Sequence, residues 1–188
     1  PFLFPDPISM RVVLIGYRGS GKSVVGQLMA RQLGLAFVDA DLEIETRAGR
    51  QIAEIFAEEG EAGFRSFERD VIAELSARDR LVISAGGGAV LDPLTREQWS
   101  EPDTIVIWLT ATPEELARRI AGDSTTALRR PALTSGNVLD EITAVLAQRN
   151  EQYRSCQTLT IDTNGRTIGE VATFGVAAVH DIDGLQEN

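Results

Sequence analysis

Short apolar runs and longer stretches with apolar residues at helical spacing take turns along this chain. Residues 11–16 read Arg-Val-Val-Leu-Ile-Gly, the pattern of a buried strand stopped by glycine. Residues 23–33 carry Val24, Val25, Leu28, Met29 and Leu33 at helical spacing, with Gly34 as the stop. Further strands are predicted at 36–38, 81–84, 104–109 and 158–161. Helices are predicted at 41–48, 52–59 and 61–77, the last with Phe64, Phe67, Val71, Ile72 and Leu75 on one broad face. Thr112 caps a helix running to about Ile120, with Pro113 in its first turn and Glu114 and Glu115 complementing the dipole. The last two helices span 138–153 and 168 to about 179. This alternation predicts a layered α/β fold with a mostly parallel sheet.

Residues 122–136 break the pattern. They are polar and weakly periodic, which reads as a mobile loop. Residues 1–9 hold three prolines and no positive charge. They lack the basic start and apolar core of a secretory signal, and we read them as an N-terminal extension or expression remnant outside the fold. One domain is expected over 10–180, followed by a tail at 181–188.

Composition narrows the function classes. The net charge is −10 over 188 residues, so binding to nucleic-acid phosphates is not expected as the main function. No stretch reaches the ~20 apolar residues of a membrane helix. One cysteine, Cys156, excludes an internal disulfide or a multi-cysteine zinc site and fits a reducing, cytoplasmic setting. One histidine, His180, excludes most histidine-dependent metal and triad chemistry. The basic residues are 17 arginines and a single lysine, Lys22.

That lysine lies in the strongest motif, Gly16-Tyr17-Arg18-Gly19-Ser20-Gly21-Lys22-Ser23, between an apolar strand and a helix. Its glycines let backbone N–H groups curl around a phosphate, and the helix N-terminus adds a favourable dipole. Lys22 would reach the β- and γ-phosphates and the Ser23 hydroxyl a Mg²⁺ ion. The plain alternative is a glycine-rich turn. Asp39-Ala40-Asp41 follows the second strand, where two carboxylates could hold Mg²⁺ and accept a proton, or where one could cap a helix. Ser84-Ala85-Gly86-Gly87-Gly88 ends the third strand and leaves room for a substrate. Arg65, Arg130 and Arg149 have the planar fork that matches carboxylate or phosphate, although spacing alone does not bring them together.

Taken in order, these elements resemble the shikimate kinase family. The resemblance covers about residues 10–165. It rests on the phosphate loop, the Asp pair, Gly49-Arg50-x-Ile52-x-x-Ile55-Phe56, and Gly60-Glu61-x-x-Phe64-Arg65-x-x-Glu68. It continues through Gly86-Gly87-Gly88-Ala89-Val90, Arg130-Pro131, Arg149 with Tyr153-Arg154, and Asp162-Thr163-Asn164. The resemblance implies a three-layer sandwich: a five-stranded parallel sheet flanked by helices, of the phosphate-loop kinase type with a mobile lid. It implies transfer of the ATP γ-phosphoryl group to the 3-hydroxyl of shikimate. Asp41 would hold that hydroxyl as base or orienter. Arg65 and Arg149 would clamp the carboxylate, with Gly87 and Gly88 lining the pocket. Gly19, Ser20, Gly21, Lys22, Ser23 and Val24 would hold the nucleotide, and Asp39 would join Ser23 around Mg²⁺. Arg130, or its neighbour Arg129, would reach the transferring phosphate from the lid. Arg118 or Arg119 would flank adenine, together with the loop near Asn164. The lid departs from the usual Arg-Pro-Leu-Leu by reading Arg130-Pro131-Ala132-Leu133, and is several residues longer. A kinase of another hydroxy acid such as gluconate, or a non-catalytic nucleotide-binding module, are the other readings. No long apolar surface segment is evident, which points to a monomer.

Overall fold

In the computed structural model, residues 10–122 and 137–186 are described. Five parallel strands form one sheet in the order β2-β3-β1-β4-β5: β1 (Arg11–Ile15), β2 (Ala36–Asp39), β3 (Leu81–Ser84), β4 (Thr104–Thr110) and β5 (Leu159–Asp162). The helices are α1 (Lys22–Leu33), α2 (Ala40–Ala48), α3 (Ile52–Ser76), α4 (Pro93–Gln98), α5 (Pro113–Gly122), α6 (Val138–Cys156) and α7 (Ile168–Gln186).

The central strands are apolar on both faces because helices cover both. Along β1, Val12 and Leu14 pack with Val25 and Met29 of α1 and with Val171 and Ala172 of α7. Val13 and Ile15 face the other way, against Ile44 of α2, Ile55 and Ile72 of α3 and Tyr153 of α6. Strand periodicity of two sorts these neighbours into opposite layers. A smaller cluster of Tyr17, Leu116, Ile142 and Val145 seats α5 against α6.

Residues 52–59 and 61–77, expected as two helices, are the two helical arms of α3, interrupted between them at Gly60. Gly60 has φ 68 and ψ −169, a conformation few side chains tolerate, and the two arms fold until Phe56 and Phe64 stack at 4.7 Å. Three features were not expected. A short 3₁₀ turn (Ala89–Leu91) and α4 follow the glycine triplet. Asp92 caps α4 by accepting from Leu94 N at 2.8 Å, and Pro93 opens it. Helix α7 runs past the expected stop near Val179, through the residues read as a tail, as far as Gln186, with Ile182 packed against the core. The expected lid lies, from 123 to 136, outside the described residues, and so do residues 1–9.

Parallel pairing levels the strand ends. Ser84 pairs with both Leu14 and Asp39, so the carboxyl ends of β1, β2 and β3 open together along one edge, where ligands bind in such sheets.

Candidate active site

Gly16 leaves β1 at φ 138, and a Cβ there would stand 2.4 Å from the Leu109 carbonyl oxygen. Only glycine brings the loop so close to β4. The loop then curls around its own lysine. Lys22 Nζ donates to the Gly16 and Tyr17 carbonyls, each at 2.9 Å, and lies 3.5 Å from Ser20 Oγ. Helix α1 starts at Lys22 with no capping side chain and no acidic residue in its first turn. Its leading N–H groups and positive dipole end therefore favour an anion.

Asp39 caps a helix with one oxygen and faces the phosphate loop with the other. Oδ1 accepts from the backbone N–H of Asp41 and Leu42, capping α2, while Oδ2 accepts from Ser23 Oγ at 2.5 Å. Ser84 Oγ lies 3.3 Å from Ser23 Oγ. A carboxylate and two hydroxyls at one point are hard oxygen donors. So small a protein set suits Mg²⁺, which takes one or two protein ligands and fills its shell from substrate phosphates and water. Among the described residues, no group of three or more histidines, cysteines or acids could hold a metal by itself. Asp41 sits half-buried one step inside α2, next to this point.

Arg65 and Arg149, distant in sequence, meet at the glycine triplet. From α3, Arg65 lies over the backbone of Gly88, where a Cβ would come within 2.5 Å of its guanidinium nitrogens. From α6, Arg149 Nη1 donates to the Gly87 carbonyl at 3.1 Å. Gly87 in turn packs on the phosphate loop, with its Cβ position 3.2 Å from the Gly16 carbonyl oxygen. The two arginines thus stand directly beside the phosphate loop.

Arg65 is steered by two acids. It donates to Glu68 at 2.5 Å and to Glu61 at 3.1 Å, and lies 5.4 Å over the Phe64 ring. Burial opposes its charge, but the Glu68 and Glu61 carboxylates hold its pKa above the ordinary arginine value. Glu68 is only 3% exposed. The sequence reading passed it over as a site residue, although its place three residues after Arg65 on a helix was a signal.

A cavity of about 240 Å³ flanks the loop on its other side, walled by Gly19, Val24, Arg118, Arg119, Thr163 and Arg166. Arg119 is tied into this wall: it donates to Thr163 Oγ1 at 3.0 Å, to the Thr163 carbonyl at 2.9 Å and to the Gly19 carbonyl at 3.4 Å. Arg118 is 71% exposed and pairs with Glu115. Asn164 spends its side chain elsewhere. Its Oδ1 accepts from Thr112 N at 3.1 Å and its Nδ2 donates to Asp162 at 2.5 Å. Thr163, quoted in the Asp162-Thr163-Asn164 run but given no role, and Arg166, not singled out in the sequence, line the cavity instead. Arg130 and Arg129 fall outside the described residues. Arg18, although inside the loop motif, turns away from its centre to Glu141 of α6 at 3.1 Å.

The family model for shikimate kinase matches residues 18–179. A shikimate kinase of Rhodopirellula baltica is 46% identical over 160 residues, covering 85% of each chain. The structure of a shikimate kinase from Acinetobacter baumannii in complex with shikimate superimposes with a TM-score of 0.86 at 32% identity, over 93% of this chain and 95% of that one. A gluconokinase of Sinorhizobium meliloti shares the fold, with a TM-score of 0.61 at 15% identity over 96% of this chain and 97% of that one.

Proposed function

The chain belongs to the shikimate kinase family, and we infer that it transfers the γ-phosphoryl group of ATP to the 3-hydroxyl of shikimate, giving shikimate 3-phosphate and ADP. The observation that carries this reading is the meeting of Arg65 and Arg149 on Gly87 and Gly88, against the phosphate loop. An acceptor held there by its carboxylate is next to the phosphates it must attack.

Phosphoryl transfer asks for positioning and charge neutralisation more than for covalent chemistry by the protein. The substrate hydroxyl oxygen forms the new bond to the γ-phosphorus, and the bond to the β–γ bridging oxygen breaks, leaving ADP. Asp41 holds the hydroxyl and accepts its proton. Lys22, freed from the Gly16 and Tyr17 carbonyls, offers its ammonium to the β- and γ-oxygens, while Gly19, Ser20, Gly21 and Val24 frame the nucleotide. Arg119, with Arg118 at the rim, borders the adenine, and Asn164 braces the loop behind it. Arg130, which lies outside the described residues, would neutralise charge on the transferring group. Ser23 and Asp39 would hold Mg²⁺, which when bound neutralises phosphate charge.

The surrounding protein fits a soluble small-molecule enzyme. No helix among the described residues is long and apolar enough to cross a membrane. A cytoplasmic monomer without a nucleic-acid partner completes the reading, the net charge of −10 repelling polyanions. Incubation with ATP, Mg²⁺ and a panel of hydroxy acids tests it. Shikimate-dependent ADP release with a new phosphate ester is expected. Turnover of gluconate but not shikimate would replace the acceptor, and no turnover with any acid would leave a nucleotide-binding module.

A further inference from the structure

Two donors share the Gly87 carbonyl. Arg149 Nη1 donates at 3.1 Å, and Tyr153 Oη donates at 2.6 Å from the protein interior. Four residues apart on α6, they project from one face of the helix. The Tyr153 ring is fully buried and stacks on Trp108 with centroids 5.3 Å apart and planes 21° from parallel. With its ring so fixed, its hydroxyl is delivered to one point.

A carbonyl oxygen has two lone pairs, and here each has a donor. The donors differ in their other duties. On the reading above, Arg149 must turn donors towards the incoming carboxylate, whereas Tyr153 is walled into the core and stays. We propose that Tyr153 is a positioning residue for acceptor binding: it keeps the Gly87 carbonyl satisfied and the Gly87–Gly88 peptide in place, so that Arg149 can engage the carboxylate. The trans peptide points the Gly88 N–H opposite to the Gly87 carbonyl, so the hydroxyl also sets which way that N–H faces. Without the hydroxyl, any shift of Arg149 towards the ligand strips a buried carbonyl of its remaining donor, at a cost charged to acceptor binding alone.

This inference rests on the proposed carboxylate clamp, and the test separates the two. Tyr153→Phe keeps the ring and its stacking. In the full-length enzyme it is expected to raise the shikimate KM about tenfold, with kcat and the ATP KM within about twofold and the melting temperature little changed. Added to Arg149→Ala, the same change is expected to have about a twofold effect or less, because the donor it frees is gone. An unchanged shikimate KM in Tyr153→Phe, with a raised one in Arg149→Ala, would overturn the proposal and leave the clamp intact. Unchanged shikimate KM in both would overturn both. Equal rises in the two substrates' KM values, or full multiplication of the two mutations' effects, would reduce Tyr153 to a structural residue.

Discussion

Ser23 Oγ donates to one carboxylate oxygen of Asp39 at 2.5 Å, while the other oxygen caps helix α2. The two duties can be divided by substitution. Asparagine caps a helix about as well as aspartate but carries no charge. Asp39→Asn is therefore expected to melt within about 2 °C of the wild type, yet to lose at least tenfold in activity, partly recovered at raised Mg²⁺. Asp39→Ala loses the cap too, at about 1 kcal/mol, or roughly 2–4 °C in a chain of this size. Calorimetry and Mg²⁺ titration of the two variants check this.

Asp41 lies in the first turn of α2, its backbone N–H bonded to the Asp39 cap, and on the proposed reading it holds the acceptor hydroxyl. Asp41→Asn is expected to bind ATP as the wild type does and to lose about 10²-fold or more in kcat. Nucleotide titration and single-turnover kinetics read the two effects separately. Turnover near the wild-type rate would remove Asp41 from proton transfer.

Arg65 and Gly88 form one contact, and changing either should tell the same story. On the proposed reading, Arg65→Ala removes half of the carboxylate clamp. Gly88→Ala places a methyl group where the guanidinium lies, with 2.5 Å between them. Both are expected to raise the shikimate KM by tenfold or more while the ATP KM moves less than about threefold. Equal effects on both substrates would separate Arg65 from the acceptor.

Hydrogen bonds from Arg118 and Arg119 hold the Glu115 carboxyl down at about 2, against an ordinary 4.5. A carboxyl depressed in the folded state contributes stability that is complete above the unfolded value and fades as pH falls through the folded one. The melting-temperature gap between wild type and Glu115→Gln is thus expected to be constant above about pH 5 and to close between about pH 4.5 and 2. A gap that widened on acidification would contradict the pairing.

Burial pushes the Cys156 thiol up to about 11. Few thiolates then exist at pH 8, and alkylation of the native protein is expected to run about two orders of magnitude slower than that of a free thiol. Unfolding in denaturant should restore the ordinary rate. Rapid labelling of the native protein would show Cys156 to be open to reagents.

The strands were legible in the sequence because β1 to β4 are built on continuous apolar runs and β5 alternates as Leu-Thr-Ile-Asp, and the phosphate loop because its spacing is local. Gly60 broke the helix where its place between two amphipathic stretches suggested. The missed features depend on tertiary context. Helix α4 is too short for periodicity to reveal, although Asp92-Pro93 marks its start. Helix α7 extends because Ile182 finds the core, which no local signal reports. Arg65 and Arg149 were singled out by type, but only the folded sheet brings α3 and α6 to one peptide. Arg166 enters the cavity beside the phosphate loop by position, with no motif of its own, and Thr163 stands in a motif that assigned it no role.

Lys22, wrapped by its own loop carbonyls, supplies the one lysyl side-chain amine in the chain. Side-chain acylation therefore has a single lysine address, at the bottom of the nucleotide site. With a reagent that forms amides with lysine, peptide mapping of Lys22, kept apart from the N-terminal amine, becomes an occupancy meter: acylation there marks an open loop, and protection marks a loop filled with phosphate.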